Sequence, residues 1–172
     1  MHRAGCRRIY YGWESGSQHM LDVLKKDLTP EEIIEAAKMT RRAGIWAKVY
    51  LIVGNPGETL QDVQETEKVL KLGGPDLVRI SVFNPLVGTE SWDGYLANID
   101  VEDLRENYVS SNRSCYKHEN FTSLELEELR KDMVRRYERW YYAYPQRAKR
   151  FMERALYYFE NPMYGRKRVG RA

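Results

Sequence analysis

Two hydrophobic periods alternate along this chain. β-prone runs lie at 8–13 (RIYYGW), 49–53 (VYLIV) and 77–83 (LVRISVF). Between them, apolar residues recur at helical spacing: Met20, Leu21 and Leu24, then Ile33, Ile34, Ala37 and 39–43, then Val63, Val69 and Leu70. The run at 49–53 is apolar at consecutive positions, which predicts a strand buried on both faces, as in a parallel sheet. Local signals set the helix limits. Ser15 or Ser17 is placed to cap the first helix. Thr29-Pro30-Glu31-Glu32 supplies an N-cap, a proline at the first helical position and a capping-box glutamate, with Gly44 at the other end as a C′ residue. Thr59 opens a third helix, with Asp62 positioned for its free N–H groups, and Gly73-Gly74-Pro75 ends it.

Strand–helix–strand–helix–strand at this spacing predicts parallel β/α units with right-handed crossovers, an α/β fold. Each strand ends in small or polar residues: Glu14-Ser15-Gly16-Ser17, Gly54-Asn55-Pro56-Gly57-Glu58 and Asn84-Pro85. Parallel strands bring those ends to one rim, where α/β proteins place ligands. Gly54 and Gly57 permit a left-handed backbone and the close approach of a flat base. Residues 93–121 read as a connecting segment without strong periodicity. A charged helix opens at Thr122 or Ser123 and stops before Pro145, a second helix spans 146–159, and the last ten residues are frayed.

Charge separates the two ends of the chain. The net charge is +3, but residues 130–172 carry 13 Lys/Arg against 4 Asp/Glu, leaving the preceding body acidic. Arg135, Arg136, Arg139, Lys149, Arg150 and Arg154 alternate with Tyr137, Trp140, Tyr141 and Tyr142, a composition suited to phosphates and stacked bases. These aromatics are expected to dock on the acidic body, with nucleic acid as the second choice of partner. No apolar run approaches a membrane span of about 20 residues, and the start is no signal peptide, so a cytoplasmic protein is expected.

Other chemistry finds little support. Cys6 and Cys115 form neither a disulfide framework nor a C-x-x-C motif. Cys115 and His118 would make half a zinc site without a second pair. Gly12-Trp13-Glu14-Ser15-Gly16 displaces the serine of a nucleophile elbow by one position, and no phosphate-binding glycine loop occurs.

Taken in order, AGCRRIYYGWESGS, RRAGIWAKVYLIVGNPGET and PDLVRISVFNPLVGTE resemble the later half of a radical S-adenosylmethionine core, over residues 4–92. The resemblance implies a partial TIM-like (β/α) barrel whose fourth, fifth and sixth strands are present, followed by C-terminal helices over 122–172. These helices are similar to those of cobalamin-domain-containing radical enzymes of the magnesium-protoporphyrin monomethyl ester cyclase type. It implies that Glu14, with Ser15, contacts the adenosyl ribose. Ile52, Gly54 and Asn55 match the strand motif that packs on adenine, and Asn84 closes the same rim. Tyr50 stands where that motif begins with glycine, and Glu58 falls one residue late, so no cofactor contact carries over to Glu58.

The family's C-x-x-x-C-x-x-C triad is absent from this chain. The resemblance therefore implies that S-adenosylmethionine binds here while the [4Fe–4S] cluster is held by the other half of the barrel, in cis or in trans, with cobalamin in a further domain. A chain of this kind is expected to be inactive alone, on a substrate the sequence does not name. Three strands cannot close a barrel, so a sticky edge at 8–13, bearing Ile9, Tyr10, Tyr11 and Trp13, is expected. A different class remains open: a non-catalytic α/β scaffold whose basic tail binds nucleic acid or an acidic partner.

Overall fold

A computed structural model of the protein describes residues 1–100 and 112–143. Strands β1 (Arg8–Glu14), β2 (Trp46–Val53) and β3 (Leu77–Val82) form one parallel sheet in the order β1-β2-β3. Helices α1 (Gln18–Val23) and α2 (Pro30–Arg42) join β1 to β2, and α3 (Leu60–Gly73) joins β2 to β3. A short α4 (Glu90–Tyr95) follows β3, and α5 (Ser123–Ala143) ends the described chain. This is the expected α/β arrangement of parallel strands and helices.

Local chemistry sets the helix boundaries. Thr29 accepts from the Glu32 N–H while Glu32 reaches back to the Thr29 backbone, and Thr59 with Asp62 makes the same reciprocal box on α3. Gly74 takes the left-handed conformation (φ 54°) that ends α3. Ser17 occupies the N-cap position of α1, but its side chain makes no cap hydrogen bond there.

The sheet is covered on one face. Ala47, Val49, Leu51 and Val53 are buried against helices with Trp13, Leu21, Ile33, Leu70, Ile80 and Val82. Each large apolar side chain buried in this way contributes about 1.5–3 kcal/mol. Lys48, Tyr50 and Ile52 point to the opposite face and are only half-buried. The expectation of a strand buried on both sides is therefore corrected. Tyr50 and Ile52 made the run continuous in sequence, yet both keep part of their surface exposed.

Two further corrections concern Trp13 and the connecting segment. Trp13, expected on the sticky edge, is 2% exposed and sets its ring against Gly73, in the core cluster that includes Ala37. A bulge between Gly12 and Glu14 sets its place in the strand. Residues 90–95, placed partly in a structureless connector, form α4, because Thr89 accepts from the Trp92 N–H as its cap.

Helix α5 docks along β3. Leu126 and Met133 are fully buried, and Arg130 donates from Nε to the Ile80 carbonyl at 2.9 Å on the outer edge of β3. Arg136 pairs with Glu67 at 2.6 Å, and the Tyr137 hydroxyl donates to the Glu67 carbonyl at 3.3 Å. Here an aromatic and an arginine of the basic region pack on the body, as the docking reading expects. The ion pair is partly exposed and contributes at most about 1 kcal/mol. The side chains of Arg139, Trp140, Tyr141 and Tyr142, and all of 144–172 with the expected second helix, lie outside the described residues.

Candidate functional site

The three strand ends meet at one rim. Glu14 closes β1 with a left-handed backbone (φ 62°), costly for a residue with a side chain and a kind of strain that clusters at functional sites. Its carboxylate folds back over Gly12. A Cβ at Gly12 would lie 2.5 Å from Glu14 Oε1, so the missing side chain makes that pose available. Lys26 Nζ stands 3.6 Å from the same oxygen, and the Glu14 side chain is 23% exposed. Glu14 therefore presents a fixed, solvent-reachable acceptor on the open face of the sheet.

Ser15, Gly16 and Ser17 turn inward and tie this rim to α3. Ser15 Oγ shares a 3.0 Å hydrogen bond with Thr66 Oγ1, which also accepts from the Gly16 N–H at 2.9 Å. Ser17 Oγ donates to Asp62, whose carboxyl is held below the usual range. Burial opposes that shift, and hydrogen bonds from Ser17 and Thr59 outweigh it. Gly16 is required here, because a Cβ would come 2.8 Å from the Thr66 backbone. Ser15 is buried, and its observed contacts fix the turn that carries Glu14.

At the end of β2, Gly54 has φ 77°, and an added Cβ would lie 2.7 Å from Leu126 Cδ1. The close approach expected there from a flat ligand is made by α5. Glu58 is 1% exposed and accepts the Gly54 N–H. Burial pushes its carboxyl up from an ordinary 4.5 to about 7, with the Gly54 and Asn55 N–H groups opposing and Asp62 adding repulsion. Asn55 donates from Nδ2 to the Ile52 carbonyl at 2.9 Å, while its buried Oδ1 has no hydrogen-bond partner.

A returning segment fastens the turn from outside. His118 accepts the Asn120 N–H on Nδ1 and donates from Nε2 to the Asn55 carbonyl at 2.8 Å. Asn120 Nδ2 donates to the Glu58 carbonyl at 2.9 Å. Asn84 anchors the same segment, accepting the Cys115 N–H and donating to the Arg113 carbonyl, both at 2.8 Å. The structure thus brings Glu14 and Ile52 to the open face, buries Gly54 and Asn55 in the fastened turn, and uses Asn84 as a tether. Thr66, His118, Asn120 and Leu126 went unassigned to the site. A threonine inside a helix gives no local sign, and His118 stood out only for metal binding.

Residues 1–70 match the family model described as the radical SAM superfamily. The chain resembles the radical SAM superfamily. It is 30% identical over 129 residues to an uncharacterized methyltransferase of Pyrococcus horikoshii, covering 75% of this chain and 28% of that protein. It is 29% identical over 160 residues to the anaerobic magnesium-protoporphyrin IX monomethyl ester cyclase of Cereibacter sphaeroides, covering 90% and 25% respectively. A tRNA-2-methylthio-N(6)-dimethylallyladenosine synthase of Finegoldia magna is 28% identical over 103 residues, 59% of this chain and 22% of that protein. The chain spans about a quarter of the length of these curated relatives.

Intact radical SAM enzymes use S-adenosylmethionine and a [4Fe–4S] cluster. The rim suits the adenosyl group where it is open: Glu14 offers a carboxylate acceptor for hydroxyls and Ile52 an apolar wall, whereas the unpartnered Asn55 Oδ1 is buried inside the turn. The cluster does not fit. The chain has two cysteines, Cys115 is 1% exposed, and among the described residues no three His, Cys, Asp or Glu side chains are grouped to hold a metal. Among those residues, no helix is long and apolar enough to cross a membrane.

Proposed function

We propose that this chain supplies the adenosyl-binding side of a radical SAM barrel and works with a cluster-bearing segment, in cis or in trans. The observation that carries this is the pose of Glu14. A residue strained into φ 62°, folded over a glycine and kept partly exposed, is built for something other than packing. In this reading Glu14 accepts from the ribose hydroxyls and Lys26 holds its carboxylate in place. Ser15 secures the turn through Thr66. Ile52 flanks the adenine, the buried Gly54–Asn55 turn holds the end of that strand in place, and Asn84 keeps the third strand end in register. When bound elsewhere in the barrel, the cluster supplies reductive cleavage of the cofactor. These residues orient the adenosyl group and exclude water. Alone, the chain binds the cofactor without cleaving it, and cobalamin is assigned to a further domain.

S-adenosylhomocysteine titrated into the 172-residue chain by calorimetry tests this reading. Glu14→Gln is expected to weaken binding by roughly 10-fold or more, the scale of a hydrogen bond to a charged group. Gly12→Ala leaves the carboxylate in place chemically but displaces it, and is expected to weaken binding by about 5-fold with little change in stability. Wild-type affinity in both variants would sink the proposal.

A further inference from the structure

Below the rim, the open face of the sheet carries a second pattern. Cross-strand register places Tyr10 beside Lys48, and Tyr50 between Gly12 and Arg79, with Arg8 beside Trp46 in the row beneath. Tyr10 and Tyr50 stack with ring centroids 6.1 Å apart and planes 25° apart. Lys48 Nζ stands 5.2 Å from the Tyr10 ring centre and 4.8 Å from that of Tyr50. Arg8 Cζ lies 5.8 Å from Tyr10 and 5.7 Å from Trp46. Tyr10 is 53% exposed. The strand positions of these three rows carry three cations, Arg8, Lys48 and Arg79, each among aromatic rings or next to one; the one carboxylate that reaches the rows, Glu14 over Gly12, has Lys26 Nζ 3.6 Å away.

A face meant only to pack inside a barrel would be aliphatic, because burying several like charges together is strongly disfavoured. Cations held over tyrosine rings are instead suited to an anion that arrives with a flat ring system: the ring stacks on the exposed tyrosine while the arginines and lysine take the charge. We propose that this face selects a flat, conjugated substrate bearing an anionic arm, carboxylate or phosphate. Calling it a substrate face rests on the radical SAM reading; the binding itself does not.

The test uses matched probes on the full chain, with excess S-adenosylhomocysteine present to occupy the rim. Flavin mononucleotide is compared with riboflavin, and 1-pyrenebutyrate with 1-pyrenebutanol, by fluorescence quenching. At least one anionic probe is expected to bind about 10-fold tighter than its neutral twin. Preference for the flavin nucleotide alone assigns phosphate, and preference for the pyrene acid alone assigns carboxylate. Lys48→Gln should remove most of that preference, and Arg79→Gln should reduce it, whereas Lys38→Gln on α2 should not. Tyr10→Leu should weaken charged and neutral probes alike. Equal binding of the twins, no binding of any probe, or a preference untouched by both Lys48→Gln and Arg79→Gln would overturn the inference. Probe selectivity without S-adenosylhomocysteine binding would leave this platform standing and sink the adenosyl reading; the reverse result would do the opposite.

Discussion

Glu58→Gln is expected to stabilise the protein at pH 8 by about 2 kcal/mol relative to wild type, and to change it far less at pH 4.5. The cause is the burial that lifts the Glu58 carboxyl from 4.5 to about 7. Because the folded state holds this proton more tightly than the unfolded state, stability is highest below the ordinary value. It falls as pH rises through the window from 4.5 to about 7, and above that the folded protein holds a buried anion. Such a shift corresponds to roughly 3 kcal/mol at most. Glutamine keeps an acceptor for the Gly54 N–H and cannot ionise, although its own N–H groups need partners and reduce the gain. Asp62 has the opposite sign and a separate window: its lowered carboxyl contributes stability that is lost as pH falls below the ordinary 3.8. Urea unfolding of both proteins at pH 4.5 and pH 8 reads the difference directly. A difference that does not change with pH would show that Glu58 is not the group responsible.

Gly54→Ala is expected to destabilise the fold by about 2–4 kcal/mol, from two separable causes. A side chain at φ 77° carries backbone strain of about 1 kcal/mol. The new methyl would also meet Leu126 at 2.7 Å in a packed contact, and overpacking of this kind costs about 1–3 kcal/mol. Leu126→Ala alone should cost about 2–4 kcal/mol, since that side chain is fully buried. Combined, the two changes should cost at least about 1 kcal/mol less than their sum, because truncating Leu126 makes room for the new methyl while the backbone strain persists. Simple additivity would mean that α5 does not press on this turn.

These two sites also mark the limit of what the sequence could tell. Thr29 with Glu32 and Thr59 with Asp62 were readable because capping is decided within four residues, and both boxes form. The parallel order of strands was readable from the alternation of two hydrophobic periods. Gly54 was readable as a left-handed turn, but not as the seat of Leu126, since nothing local links residues so far apart. The 49–53 run hid its alternation because the open face uses Tyr50 and Ile52, which count as apolar wherever they point. Glu14 stood out as a rim carboxylate, whereas the fold-back over Gly12 depends on a bulge and a positive φ that its residue type does not advertise.

The fastening of the β2 turn has a consequence for the order in which this chain takes shape. The Asn55 and Glu58 carbonyls are held by His118 and Asn120, each more than sixty residues downstream, and Leu126 fills the cradle at Gly54. During synthesis the sheet and its first helices emerge well before any of these clasps exists. The rim's β1 side can therefore settle early through Ser15 and Thr66, while its β2 side must wait for the 118–120 segment and α5 to arrive. A nascent chain halted before residue 118 would hold a nearly finished sheet with half of its rim still open.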